Sequence, residues 1–156
     1  MNLTLRPLAD DDLDQLFTWE SDAVAVALAA FTSADPSDRA AFDAHYARIR
    51  SNPDVLLRAI DVDGSFVGTI ASFTMEGDRE VTYWIGREHW GQGYATTAAR
   101  ALLEIETTRP LHGRAAEHNS GSIRVLEKVG FRRVGQEVSC AAGANAEVTE
   151  IPLQLD

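Results

Sequence analysis

One stretch constrains this chain more than any other: residues 80–107, EVTYWIGREHWGQGYATTAARALLEIET. Val81, Tyr83 and Ile85 alternate with Thr82 and Trp84, the period-two pattern of a half-buried strand. After Gly86 the chain turns through Arg87 to Trp90 and reaches Gly91-Gln92-Gly93-Tyr94-Ala95-Thr96. Ala95, Ala98, Ala99, Leu102, Leu103 and Ile105 then recur at helical spacing, which predicts a helix over 94–107. A helix opens on backbone N–H groups with no partner inside it, and its dipole is positive at that end. Two glycines just ahead let the backbone pass close to a bulky anion with no Cβ in the way. Such a turn can hold phosphate or pyrophosphate. It can equally be an ordinary strand–helix connection whose glycines only relieve backbone strain.

Further along comes EHNSGSIRVLEKVGFRRVG, residues 117–135. Asn119 or Ser120 can cap a helix over 120–129 whose Ile123, Leu126 and Val129 face inward. Gly130 is placed to stop that helix in a left-handed conformation, with Phe131 opening a strand. Together the two stretches resemble the GNAT superfamily of acetyl-CoA-dependent N-acetyltransferases. WGQGYAT followed by Asn-x-x-Ser-x-x-Val-Leu-Glu-Lys-Val-Gly-Phe is most similar to the ribosomal-protein-alanine N-acetyltransferase branch, whose enzymes acetylate ribosomal-protein N-termini. The paired match covers about a third of the chain.

The resemblance implies an α+β fold: a mixed, mostly antiparallel sheet of about seven strands with helices on both faces. The order of elements agrees. Leu3 and Leu5 before Arg6-Pro7 suggest a strand over 2–7, and Asp10 or Asp11 can cap a helix bearing Leu13, Leu16, Phe17 and Trp19. The apolar run 23–31 reads as buried helix or loop. Asp35-Pro36 predicts the start of a helix carrying Phe42, Tyr46 and Ile49 and ending near Asn52-Pro53. Residues 57–62 and 66–73 read as a hairpin across Asp63-Gly64, with a second turn at Glu76-Gly77-Asp78 before the strand 80–86. Strands are expected at 111–117, 131–139 and 148–155, the last two joined by a loop over 141–145. Strand 80–86, its helix and strand 111–117 form a crossover that makes the two strands parallel neighbours. In the family these two splay apart, and the pantetheine arm enters the gap, in keeping with ligands lying at the carboxyl ends of parallel strands.

Composition narrows the function. A chain of 156 residues is expected to form one domain, 1–156, with a proper core. The formal charge of −10 argues against a nucleic-acid partner. Residues 1–79 hold 6 Lys and Arg against 14 Asp and Glu, whereas residues 80–140 hold 8 against 7. An acidic first half could attract a cationic amine while the second half holds an anionic cofactor; it could also serve solubility alone. Neither a signal peptide nor a membrane span is evident, so a cytoplasmic protein with no membrane partner is expected. The lone Cys140 excludes an internal disulfide and reads as a small buried residue, and the four histidines show no metal-ligand spacing.

The resemblance also assigns roles. Backbone amides of Gly91, Gln92, Gly93, Tyr94, Ala95 and Thr96 are expected to hold the pyrophosphate of acetyl-CoA. Main-chain groups around Tyr83 and Ile85 pair with pantetheine, and Lys128 is a candidate for the outer phosphate. Trp90 stands where the family usually has Gln or Arg, which removes one side-chain donor from the cofactor loop. Many members place a general-acid tyrosine where this chain has Leu126. In the ribosomal-protein branch the serine of the Asn-x-x-Ser motif is the acid instead, which gives that role to Ser122, with Asn119 bonding pantetheine or an ordered water. The same two side chains could merely satisfy a helix N-terminus. Glu137 and Glu80 are the candidate bases, acting through water. The expected reaction is transfer of acetyl to a primary amine, on a protein N-terminus or a small molecule, by direct attack in a ternary complex. A module that binds acyl-CoA without catalysis is the competing reading, and family habit also allows a homodimer.

Overall fold

Two tight turns set the first half of the sheet. Asp63 and Gly64, and again Glu76 and Gly77, adopt positive φ at both central positions, as a type I′ hairpin requires. They join three strands in the computed structural model, which describes residues 1–156: β2 (Leu56–Val62), β3 (Ser65–Met75) and β4 (Asp78–Ile85). The first strand, β1 (Leu3–Arg6), pairs antiparallel with β2. Beyond β4 come β5 (Leu111–Ala116), β6 (Arg132–Arg133), β7 (Glu137–Ala141) and β8 (Ala146–Leu155). The sheet order is β1-β2-β3-β4-β5-β8-β6, with β7 also on β8, and β4–β5 is its parallel pair. The fold class is thus the expected α+β arrangement, with eight strands rather than about seven.

The extra strand comes from splitting the expected strand 131–139. Arg133 opposes Leu153 while Glu137 opposes Glu150, so the register slips by one residue between β6 and β7. Pro152 sits at the break; it accepts from the Val134 amide but has no N–H to return, which interrupts the ladder. Phe131 stays outside the strand, buried beneath it. Cys140, expected to be buried, is exposed because β7 pairs only with β8 and lies at an edge.

Five helices cover the sheet: α1 (Leu13–Glu20), α2 (Ala23–Ala29), α3 (Arg39–Ser51), α4 (Tyr94–Ile105) and α5 (Ser120–Lys128). A 3-10 turn over Asp10–Asp12 precedes α1, because Asp12 turns its carboxylate back to the Ala9 amide and to Arg6. The expected start of α3 is also displaced. Asp38, not Asp35, caps it by accepting from the Ala41 amide, while Asp35 closes a local turn on Ser37. Two capping residues three positions apart compete here, and the one directly before the helix wins.

Alternation along the strands separates two apolar layers. Ile60, Val67, Ile70 and Ile85 pack with Ala98, Ala99 and Leu102 of α4, and Val81 and Tyr83 lie against the same cluster. On the opposite face Ala59 meets Leu16 and Trp19 of α1 and Tyr46 of α3, with Trp84 packed alongside. Helix α5 covers β5 and β8 through Ile123 and Leu126 on the α4 side. Neighbouring residues of β4, Tyr83 and Trp84, therefore look into different halves of the molecule. No helix is long and apolar enough to cross a membrane.

Candidate active site

The site begins where the parallel pair fails. β4 and β5 are in register only at Arg79 with Leu111 and Glu80 with His112. Beyond those residues the strands diverge, as the splay expected from sequence demands. The Gly86 amide donates to Val67 on β3, so antiparallel alternation turns the main-chain groups of Tyr83 and Ile85 away from β3 and toward the gap. One of them is already engaged: the Trp90 indole N–H donates to the Ile85 carbonyl at 2.8 Å.

The connection from β4 to α4 then turns back over this gap. Gly91 and Gly93 have φ of 76° and 79°, a left-handed conformation that side chains resist. A Cβ at either position would meet nothing within 4 Å, so conformation rather than crowding selects glycine here. The amides of residues 91 to 96 donate to no other group of the protein; Thr97, bonded to the Gly93 carbonyl at 3.1 Å, is the first in α4 that does. Six successive unpartnered N–H donors at the positive end of a twelve-residue helix are an arrangement that can hold an anion. Gly91 and residues 93 to 96 border a cavity of about 530 Å³ that runs along Tyr83 and Ile85, past Trp90, to Asn119, Ser122 and Lys128 of the α5 end.

Asn119 caps α5: its side-chain oxygen accepts from the Ser122 amide at 3.3 Å. The Ser122 hydroxyl is left for other work, and lies 2.8 Å from the Tyr83 hydroxyl. Burial raises the Tyr83 phenol above its ordinary range, partly offset by Ser122, so it stays protonated at neutral pH. Tyr83, Trp84, Asn119 and Ser122 also line a second cavity, of about 690 Å³, on the other side of the splayed strands. The Tyr83–Ser122 pair is part of the partition between the two spaces.

The second cavity is acidic. Glu80 is 3% exposed and accepts from Arg114 Nε at 3.1 Å. Burial raises its carboxyl, and Arg114 opposes the shift. Arg114 also bonds Glu150 at 3.3 Å. Glu20, at the end of α1, accepts a short hydrogen bond from the Tyr46 hydroxyl, and both line the cavity.

Set against the sequence reading, the geometry gathers Tyr83, Ile85, Trp90, Gly91, Gly93, Tyr94, Ala95, Thr96, Asn119, Ser122 and Lys128 around the first cavity. Gln92 is exposed and is not among the residues that line that cavity, and its amide has no partner within the protein. Glu80 reaches the second cavity, whereas Glu137 is exposed on β7, 3.6 Å from Arg114, and borders neither space. Sequence reasoning missed the side chain of Tyr83 and the Glu20–Tyr46 pair. Each contact joins residues far apart in the chain, with no local signal to announce it.

A family model described as an acetyltransferase (GNAT) domain matches residues 2–132. The uncharacterized protein YkkB of Bacillus subtilis (strain 168) is 44% identical over 56 residues, 33% of this chain and 33% of that protein. The chain's alignment thus spans about a third of the length of the curated relatives it matches. Among solved structures, a spermidine N-acetyltransferase from Vibrio cholerae in complex with CoA and spermine superposes with a TM-score of 0.79 at 18% identity, covering 97% of this chain and 95% of that one. A ribosomal-protein-alanine N-acetyltransferase from Brucella melitensis gives 0.75 at 20% identity, covering 97% and 98%. At such identities the likeness is one of fold.

Proposed function

Because the chain belongs to the acetyltransferase (GNAT) family, we propose that it moves an acetyl group from acetyl-CoA to a primary amine by direct attack within a ternary complex. The observation that carries this reading is the row of amides at residues 91 to 96, free of protein partners and bordering a cavity that meets an acidic one at Ser122. The donor set fits a diphosphate: successive N–H groups, a helix dipole and no carboxylate among the residues that line that cavity. Lys128 adds a positive charge beside the same space. The thioester supplies an activated acetyl group; all else in the reaction is positioning and proton transfer by the protein.

Two proton movements are needed. An amine with an ordinary pKa near ~10.4 costs roughly 4–5 kcal/mol to deprotonate at pH 7, so a base is of use. Glu80 is the carboxylate we assign to that task, through water, since it borders the acceptor cavity and burial raises its proton affinity. Glu137, exposed and outside both cavities, is set aside. The departing thiolate takes a proton from the Ser122 hydroxyl, and Tyr83 stands ready to replace it. Leu126, where many relatives have the acid tyrosine, is buried against β5 and free of this duty.

The acceptor is an amine on a small molecule or a protein N-terminus. The test is direct: mix protein, acetyl-CoA and a panel of amines, follow thiol release, and measure CoA binding by calorimetry. Thiol release that depends on the amine supports the reading. CoA binding without release under any amine would reduce the protein to an acyl-CoA-binding module, and no binding would remove the site.

A further inference from the structure

Among the carboxylates bordering the acceptor cavity, Glu20 stands apart. Glu80 and Glu150 share Arg114, and Asp35 and Asp38 are spent on turn and helix-cap hydrogen bonds at an exposed rim. Glu20 is partly buried, its one hydrogen bond comes from the neutral Tyr46 hydroxyl, and no Lys, Arg or His lies within ion-pair range of it. A carboxylate withdrawn from water without a cation is costly, and burial accordingly pushes Glu20 up to about 7, although Tyr46 pulls the other way. Nothing in the fold repays that cost. A positively charged ligand group would.

Position decides which group. Glu20 and Tyr46 belong to the α1–α3 layer, on the face of the sheet to which Trp84 turns. Ser122 belongs to α5, on the face shared with α4. The two side chains thus enter from elements on opposite faces of the sheet. Yet one cavity of about 690 Å³ is bordered by Glu20, Tyr46, Trp84 and Ser122 together, passing through the gap where the strands diverge. A single molecule can reach from one to the other.

We propose that Glu20, held by Tyr46, binds a second cationic group of the acceptor, so that the preferred substrate is a diamine whose distal nitrogen sits at Glu20 while its other nitrogen is acetylated near Ser122. The inference rests on the acyl-transfer reading above and narrows its acceptor. It makes Glu20 a specificity residue; the acetyl-transfer chemistry stays with Ser122, Tyr83 and Glu80.

The experiment compares diaminobutane with butylamine, equal in chain length and different only in the second nitrogen. Wild-type protein should show a kcat/KM ratio of roughly tenfold or more in favour of the diamine, the size expected for one desolvated charge pair. In Glu20→Gln the ratio should collapse toward one, and Tyr46→Phe should fall between. Glu20→Asp, which keeps the charge, should retain part of the preference and serves if the amide variant fails to fold. A wild-type ratio near one, or an undiminished ratio in Glu20→Gln, overturns the proposal. If no amine is acetylated, the acyl-transfer reading fails. Calorimetric binding of the same two amines to wild type and Glu20→Gln then decides the diamine question by itself, a shared and equal affinity ruling it out.

Discussion

The hydroxyl of Tyr83 on β4 lies 2.8 Å from the hydroxyl of Ser122 on α5, joining two elements that otherwise part company across the splayed strands. Either oxygen can donate to the other. In the proposed reaction the pair would act as a two-step proton path, one hydroxyl giving up a proton at the cavity wall and being replenished by its neighbour. In the proposed reaction the acid that many relatives carry on this helix would be supplied from a different element, since the phenol here comes up from the strand beneath.

Removing either hydroxyl should slow chemistry more than it weakens cofactor binding. Ser122→Ala and Tyr83→Phe are each expected to lower kcat by about tenfold to a hundredfold, the ordinary range for one acid–base group, with the CoA dissociation constant changed by less than about threefold. Because the two act through one bond, the double variant should lose little more than the worse single one. Steady-state kinetics and calorimetry on the four proteins check this. Fully additive losses would mean that the hydroxyls work separately.

Much of this arrangement was legible in the chain because local chemistry wrote it. Asp63-Gly64 and Gly91-Gln92-Gly93 specify backbone dihedrals directly, and Asn119 caps the helix that follows it. Local chemistry was also ambiguous in places. Asp35 and Asp38 are both competent caps, and only the surroundings choose between them. The break between β6 and β7 depends on Pro152, which lies on the partner strand and says nothing about residues 134–136 until the two are paired. The same holds for the acceptor side. Tyr46 meets Glu20 across 26 residues and Tyr83 meets Ser122 across 39, so neither pair has a sequence pattern to betray it.

The glycine turn makes a conformational claim that can be isolated. At Gly93 the φ of 79° is the whole constraint, for a Cβ would have open space. Gly93→Ala should therefore cost about 1–2 kcal/mol through left-handed strain, lowering Tm by roughly 2–8 °C and raising the CoA dissociation constant several-fold. Gly93→Asn, which tolerates that region better, should recover much of both losses. Equal damage from the two variants would point to bulk instead of backbone geometry.

Glu80 supplies a pH signature. Its carboxyl is raised above the ordinary 4.5 by burial, with Arg114 pulling it back down. In the proposed role of base it must be ionised, so kcat/KM should fall as pH drops through that raised value, well away from the alkaline titration of the amine itself. Glu80→Gln should remove this acid limb and lower turnover by about a hundredfold. Arg114→Gln removes the opposing pull and should move the limb to higher pH. A pH–rate profile of the three proteins measures all of it, and a limb that persists unchanged in Glu80→Gln assigns the base elsewhere.

Glu106 ties down the closed end of the splay, and acid should undo it. The residue is 6% exposed and accepts from Ser72 Oγ at 2.6 Å and from Nε of Arg79 at 2.7 Å, the β4 residue that pairs with Leu111 where β4 and β5 begin to pair. Burial alone would raise its carboxyl, but Ser72, Arg79 and the Thr108 amide outweigh it and hold it down to about 2. A group depressed in the folded state stabilises above its unfolded value, here near 4.5, and that contribution is lost as pH falls from there toward 2. Wild-type stability in urea should therefore drop across this window by more than that of Glu106→Gln, whose curve lacks this titration. At pH 7 the variant should be less stable by about 1–2 kcal/mol, since Arg79 loses one of its two carboxylate partners and keeps only Asp54, at 3.2 Å. Asp12, which Arg6 also holds below its ordinary range, loses its own contribution in acid, so the difference between the two curves is the quantity that tests the claim. Parallel curves would show that Glu106 titrates normally and that the network does not anchor the strands.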